Sequence, residues 1–432
     1  MTSDEDDLLM VDKAVEKFES VSGAVLSRDK KCGIIGFGAW RNRVDWPLQY
    51  LRSVKEMKVF GIILMNSFKQ MLRKNWEVRY GKFEKVLMSW KGRHFGSIFQ
   101  RIEVIKTFAL SRLYYVASIL PLPQRFALAI ERTIGKFVWA FSGKILRVSM
   151  DDMKLPALKG GGQLTCMQKM SKSLLFTQVL RLLKSDDEKS IAHLGFWLGE
   201  LLGDFLPGIE KGFHCQDPGQ YYAQLADIVV EIKLIGCVTG ENWRSVLNKN
   251  VYSTLCSNLL PPKIERDNNV SFKHSWINLK HDFLLSSARE ILFLLLHDKL
   301  LVRERLFRIS QAADPYCTSC LDHYGAIVCD VDHYFCSCPR VVRIWGRLKS
   351  LVIALLQIDS QRTDDSSVLR LNIPVNRCPG VIWMMGAYVS TIWNIKDDST
   401  VCDDEFFGFL KFKFKVDKLG TLDQLEMLSR LI

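Results

Sequence analysis

The sequence has no apolar run long enough to cross a membrane. A spanning helix needs roughly 18 consecutive apolar residues, and the longest candidate, residues 290–301, is broken by His297, Asp298 and Lys299. A basic, apolar leader is also lacking, because Met1, Thr2 and Ser3 are followed by the acidic run Asp4, Glu5, Asp6 and Asp7, the opposite of a secretory signal. These two absences set the expectation of an intracellular chain, nuclear or cytoplasmic, with no membrane partner. They also remove the setting in which 12 cysteines would form a disulfide framework. Seven of them, Cys32, Cys166, Cys215, Cys237, Cys256, Cys378 and Cys402, are scattered and read as small buried hydrophobes. Apolar residues are plentiful: 48% of 432 residues are hydrophobic and 25% are charged, the balance of a globular protein of two or three domains.

Charge is unevenly placed. The chain carries a net +12, yet residues 28–147 alone hold 24 Lys and Arg against 7 Asp and Glu, and the remainder holds 35 against 40. All of the positive excess therefore sits in one segment. A local field of this kind favours a polyanionic partner, RNA or DNA, since each phosphate neutralised releases counterions. The competing reading is a solvated basic face.

That segment is helical by its periodicity. Residues 8–21 read as a helix ended by Ser22-Gly23, and residues 59–64 as a strand. From Phe68, Trp76, Tyr80, Phe83, Val86, Leu87 and Trp90 recur on one helical face. Lys69, Arg73, Lys74, Arg79, Lys82 and Lys85 lie mostly away from that face; with Lys91 and Arg93 they are the candidate phosphate contacts. A second helix spans residues 97–120, with Ile98, Ile102, Ile105, Ala109, Leu113 and Val116 inward. A third spans residues 124–141, with Phe126, Ile130, Ile134, Phe137 and Phe141 inward. Three such helices with short breaks predict a small bundle. Gly160-Gly161-Gly162 after Pro156 reads as a sharp turn rather than a phosphate loop. A helix is expected over residues 163–184. Residues 185–273 look mixed and less periodic, and residues 274–309 helical again, with Arg303, Arg305 and Arg308 as a small basic stripe.

The other five cysteines crowd into residues 317–338. Cys317 and Cys320 form a CxxC knuckle, and His333 and Cys338 follow from the next segment. Four nitrogen and sulfur donors complete a tetrahedron with no open position, which predicts a structural Zn2+ and no small-molecule substrate. Cys336 competes with Cys338 at this stage, and His323 and Cys329 lie near.

These residues resemble the zinc-binding domain at the C-terminus of reverse transcriptases of non-LTR (LINE-type) retrotransposons. The resemblance runs through Arg303-Glu304-Arg305-Leu306, Cys317 and Cys320, Asp332-His333-Tyr334-Phe335, Cys338-Pro339 and Trp345; by it the ligands are Cys317, Cys320, His333 and Cys338. Trp383 and Trp393-Asn394 are similar to the family's tail helix. Residues 18–27 resemble the helix and turn that follow the polymerase motif, Val59-Phe60-Gly61 the next strand, residues 87–120 with Leu120-Pro121-Leu122-Pro123 the thumb, and Leu155-Pro156 with Gly160-Gly161-Gly162-Gln163-Leu164 the turn after it. The resemblance covers most of the chain, in order.

The resemblance implies a mainly α chain with a thumb-like helical bundle, a helical connector and a small Cys/His zinc-binding domain. The expected divisions are 1–67 (a remnant following the palm), 68–150 (the thumb), 151–273 (the connector), 274–400 (the zinc domain) and 401–432 (a tail). The implied function is a truncated reverse-transcriptase product that binds nucleic acid and zinc but does not polymerise. A palm holds two metals with carboxylates on adjacent strands, and the family's Asp-Asp element would lie before residue 1. Asp151-Asp152 lies after the thumb without flanking strands and is read as a decoy; Asp6-Asp7, Asp397-Asp398 and Asp403-Asp404 read as solvated surface. The alternatives are a zinc-stabilised protein-interaction module and an inert remnant.

Overall fold

A computed structural model describes residues 4–28, 32–139, 148–185, 187–203, 219–239, 241–257, 259–359, 363–375, 378, 380–395 and 403–416. The fold is mainly α, with two small two-stranded sheets among the described residues. Two compact units are assembled from discontinuous pieces. One comprises Met1–Val86, Leu110–Ile130 and Met167–Leu255, and the other Leu87–Ala109, Glu131–Cys166 and Cys256–Ile432.

In the first unit the helix Glu5–Ser22 begins at Asp4, whose carboxylate accepts the Asp7 amide at 2.8 Å, and ends at Gly23 in the left-handed region. Strand Cys32–Ile34 pairs in parallel with Leu51–Ser53. Residues 59–64 do not form the single strand expected of them. Glu56–Val59 and Ile62–Met65 are the two arms of an antiparallel hairpin, and the chain reverses at Phe60 (φ 47°) and Gly61 (φ 81°). Two successive positive φ values match the right-handed twist of a tight hairpin, and the apolar character of Phe60 hides that turn in the sequence.

Helix Phe68–Ser89 buries Trp76 and Phe83 completely. Asn75, 2% exposed, binds the helix to the hairpin: its amide nitrogen donates to the Ile63 carbonyl at 2.7 Å, and its oxygen accepts the Ile63 amide at 2.9 Å. The Trp76 indole donates to the Pro121 carbonyl at 2.8 Å, so both of these buried polar side chains have partners. Residues 185–273, whose pattern reads as mixed and less periodic, hold helices Glu188–Gly203, Gln220–Leu234, Asn248–Leu255 and Lys263–Asn268, in keeping with the helical connector expected there. The first three pack with Met167–Lys184 around Phe176, Leu180, Leu198, Val229 and Val251. Glycines inside Glu188–Gly203 and the Pro-rich stretch beyond Leu255 mask this helical pattern.

The boundaries between the units after Ala109 and after Ile130 fall within the second and third expected helices. The run expected over residues 97–120 is helical over residues 98–117, with a π-helical stretch at Ile105–Leu110. All six expected inward residues on it are buried. The third helix is described as Gln124–Val138; Phe141 lies outside the described residues. The glycine turn is required by crowding. A Cβ on Gly161 would meet the Leu155 carbonyl oxygen at 1.9 Å, and one on Gly160 would meet Pro262 and Trp276. His297, 3% exposed, lies 2.9 Å through its Nε2 from the Gly160 carbonyl. Helices Ser286–Leu296, Val342–Leu356 and Gly380–Asn394 form the apolar centre of this unit.

Asp151-Asp152 lies on the short helix Met150–Lys154, capped by Ser149. Asp151 pairs with Lys154, and Asp152 accepts the Lys263 amide. Both carboxylates therefore have partners, and among the described residues no strand flanks them. Of the scattered cysteines only Cys378 is buried as expected. Cys32, Cys166, Cys237 and Cys256 are half-buried, and Cys215 and Cys402 lie outside the described residues.

Candidate metal centre

Four short backbone devices bring the cysteines and the histidine together. Cys317 caps helix Thr318–Tyr324, and its carbonyl accepts the Cys320 amide at 3.2 Å, closing the CxxC turn. The Cys317 amide donates to the Ile327 carbonyl at 2.8 Å, which fixes the knuckle against the returning segment, beside the isolated bridge of Tyr316 with Val328. His333 opens a π-helical turn, His333–Ser337, whose wide pitch lets the Cys338 amide reach the His333 carbonyl at 2.8 Å. Cys338 then accepts the Val341 and Val342 amides at 2.9 Å and leads into helix Val342–Leu356.

The result is a buried Cys317, Cys320, His333 and Cys338 cluster whose donor atoms all lie within 4.8 Å of one another, an arrangement that can hold a metal ion. Cys320 Sγ lies 3.4 Å from His333 Nε2 and 3.8 Å from Cys338 Sγ. His333 thus presents Nε2 to the cluster. Its Nδ1 lies 3.5 Å from the Ser337 hydroxyl, and its backbone amide donates to Asp330 Oδ1 at 2.6 Å. Such outer partners fix the tautomer and orientation of a ligating imidazole. The sequence reading did not single out Asp330 or Ser337. Their spacing, three before and four after His333, is the signal that could have found them.

Burial shapes the chemistry. It pushes the Cys320 thiol up to about 12, with the neighbouring Cys317 and Cys338 adding to the rise. Cys338 is also raised by burial, and His333 is lowered by burial, which keeps the imidazole neutral. Buried thiols resist ionisation unless a cation compensates. Of the competing donors, Cys336 is buried outside the cluster, Cys329 is buried outside it, and His323 is exposed.

The candidate phosphate contacts divide by environment. Lys69, Lys82 and Lys85 are exposed and carry no ion pair among the described residues. Arg73 pairs with Glu77 at 3.3 Å and Lys74 with Glu56 at 3.7 Å. Arg79 donates to the Gly61 carbonyl at 3.2 Å and lies over the Tyr115 ring. In the second unit, Arg93 covers the Trp90 ring at 4.3 Å, and Lys91 is exposed. The stripe at residues 303–308 is largely neutralised: Arg303 pairs with Asp314, and Arg308 with Glu304 and Asp298. No helix among the described residues is long and apolar enough to cross a membrane. Comparison with protein-family models and with curated proteins finds no match to this chain.

Proposed function

We propose that this chain is the thumb, connector and zinc-binding region of a reverse-transcriptase-like retroelement protein: a nucleic-acid-binding region with a structural zinc ion. One observation carries the reading. The four residues that the resemblance assigns as ligands are the four whose donor atoms converge.

The dimensions favour zinc. Zn–S bonds of about 2.3 Å at tetrahedral angles place two sulfurs about 3.8 Å apart, and a sulfur and an imidazole nitrogen about 3.5 Å apart. The corresponding separations here are 3.8 and 3.4 Å. Three soft thiolates and one imidazole select zinc over magnesium or calcium. Four protein donors leave no position for a substrate, so the ion's contribution is to fix the fold.

Lys82 and Lys85, three residues apart on one exposed face of the helix, and Lys69 near its start would contact the backbone of a template–primer duplex, RNA or DNA, with little base readout. The test is a salt titration of the zinc-loaded chain on an RNA–DNA hybrid. Binding is expected to weaken steeply with salt, and replacing all three lysines by glutamine is expected to lower the log–log slope by about 2 to 3. Absence of hybrid binding at low salt would replace this reading with a zinc-stabilised protein-interaction module or an inert remnant.

A further inference from the structure

Beside the Cys/His cluster, on its Cys317 and Cys338 side, lies a cleft of about 500 Å³. We propose that it is a single-stranded nucleic-acid site that takes one unstacked nucleotide, with the base on Trp393 and the phosphate on Arg340 and Arg303. The proposal rests on the nucleic-acid reading above and adds a second, separate mode of contact to it.

Three features of the cleft point to this class of ligand. The first is charge. Arg303 and Arg340 line it, and no carboxylate does; Asp314, the partner of Arg303 at 3.2 Å, is not among the lining residues. A zinc ion bound by three thiolates and a neutral imidazole has a net charge of minus one; with Arg303 already paired to Asp314, the Arg340 guanidinium offsets that charge and leaves the cleft near neutral rather than acidic. The second feature is aromatic surface. Tyr334 and Trp393 meet edge to face with centroids 5.6 Å apart, and the Arg340 guanidinium sits over the Tyr334 ring at 5.3 Å. Trp393 has one face stacked on Phe335 at 6.4 Å yet remains half-exposed where it lines the cleft. A rigid, half-exposed indole beside a guanidinium is the pairing that holds single-stranded bases and their phosphates. The third feature is a pair of hydroxyl groups, Thr318 and Ser319, held at the cleft wall because they fill the CxxC turn. They supply short donors suited to phosphate or sugar oxygens.

Size decides between strand states. A volume near 500 Å³ falls in the range of small-ligand sites. It admits one splayed nucleotide, whereas a duplex keeps its bases stacked inside and presents only backbone and groove edges. The cleft and the lysines of Phe68–Ser89 thus suit different substrates.

The experiment uses the full zinc-loaded chain and a uridine tetranucleotide carrying one 5-iodouracil. Photocrosslinks are expected to map to Trp393 or Tyr334. Trp393→Ala should weaken tetramer binding about tenfold, Trp393→Phe should restore most of it, and Arg340→Gln should weaken it several-fold. Hybrid binding should change less than twofold in all three, and the Lys69, Lys82 and Lys85 triple variant should show the reverse pattern. Zinc content of each variant checks the fold, and if Trp393→Ala loses its metal, the crosslink map of the unaltered chain decides. Crosslinks that map elsewhere, or tetramer affinity unmoved by both Trp393→Ala and Arg340→Gln, would overturn the proposal. Hybrid binding without tetramer binding removes the cleft site and leaves the functional reading standing; failure of both removes the two together.

Discussion

The helical cluster around Phe176 and the knuckle around Cys320 are both interiors, and both side chains are fully buried. They are held by different physics. In the cluster, Phe176, Leu180, Leu198 and Val229 need only matching volume from their neighbours, and burial itself stabilises them. In the knuckle, burial works against the assembled site: it raises Cys320 and Cys338, and so disfavours the thiolates that a metal requires. The first interior is complete in itself, whereas the second becomes favourable only when an ion compensates its charge. The two should therefore respond oppositely to chelation and to truncation of a core side chain.

Removing the metal is the larger of those effects. Apparent zinc-binding energies in small knuckles are on the order of 10 kcal/mol or more, and they act as folding energy. Chelation, or Cys320→Ser, is expected to reduce bound zinc from one ion per chain to none and to abolish amide exchange protection over residues 317–341. Protection in Met167–Lys184 and Gln220–Leu234 should persist. Equal protection in the knuckle with and without metal would end the contrast. The converse change is Phe176→Ala, which removes a fully buried ring. It is expected to cost about 3–5 kcal/mol in denaturant unfolding of the cluster while zinc content stays unchanged.

The knuckle was legible in the sequence because its ligands are close in the chain and chemically rare. Cys317, Cys320, His333 and Cys338 fall within one short window, and their donors need no long-range partner. The choice of Cys338 over Cys336 was not legible from spacing, and only the resemblance pointed to Cys338. It depends on the π-helical turn at His333–Ser337, which turns Cys338 toward the cluster and leaves Cys336 outside it. The inward faces of the helices around Trp76, Ile102 and Ile134 were legible through their period of 3.6. The helices of residues 188–255 were not, because glycines interrupt the pattern and the apolar residues serve several neighbours at once. Charge gave the weakest guide. Arg73, Lys74 and Arg79 belong to the same basic run as Lys82, yet partners distant in sequence, Glu56 and the Gly61 carbonyl among them, engage two of the three.

His297 sharpens the comparison, as a buried polar group that is satisfied without an ion. Burial lowers it from 6.5 to about 4, although the Gly160 carbonyl and Asp152 oppose that shift. Its folded value is depressed, so the unfolded chain binds the proton more readily between these two values. The stability held by neutral His297 is present above pH 6.5 and is lost as pH falls toward 4, by about 3 kcal/mol in total. His297→Gln keeps an amide donor for Gly160 and does not titrate. The difference in unfolding free energy between the two proteins should shift by about that amount from pH 7 to pH 4, with the acid sensitivity of the metal site cancelling in the subtraction. A pH-independent difference would mean that His297 takes up its proton equally readily in the folded and the unfolded chain.

The smallest effect tests whether a buried centre is needed at all for a residue to matter. Phe60 is 91% exposed and sits at φ 47°, where a β-carbon is strained and asparagine is tolerated. Its carbonyl accepts the Tyr115 hydroxyl, a backbone bond that any side chain at this position preserves. Phe60→Asn creates the Asn-Gly pair that tight hairpins favour and removes no packing. A gain of about 0.5–1 kcal/mol is expected, seen as a higher denaturant midpoint at unchanged slope. A loss of stability would show instead that the ring has a partner worth more than the strain it imposes, which would make the hairpin tip a contact surface rather than a turn.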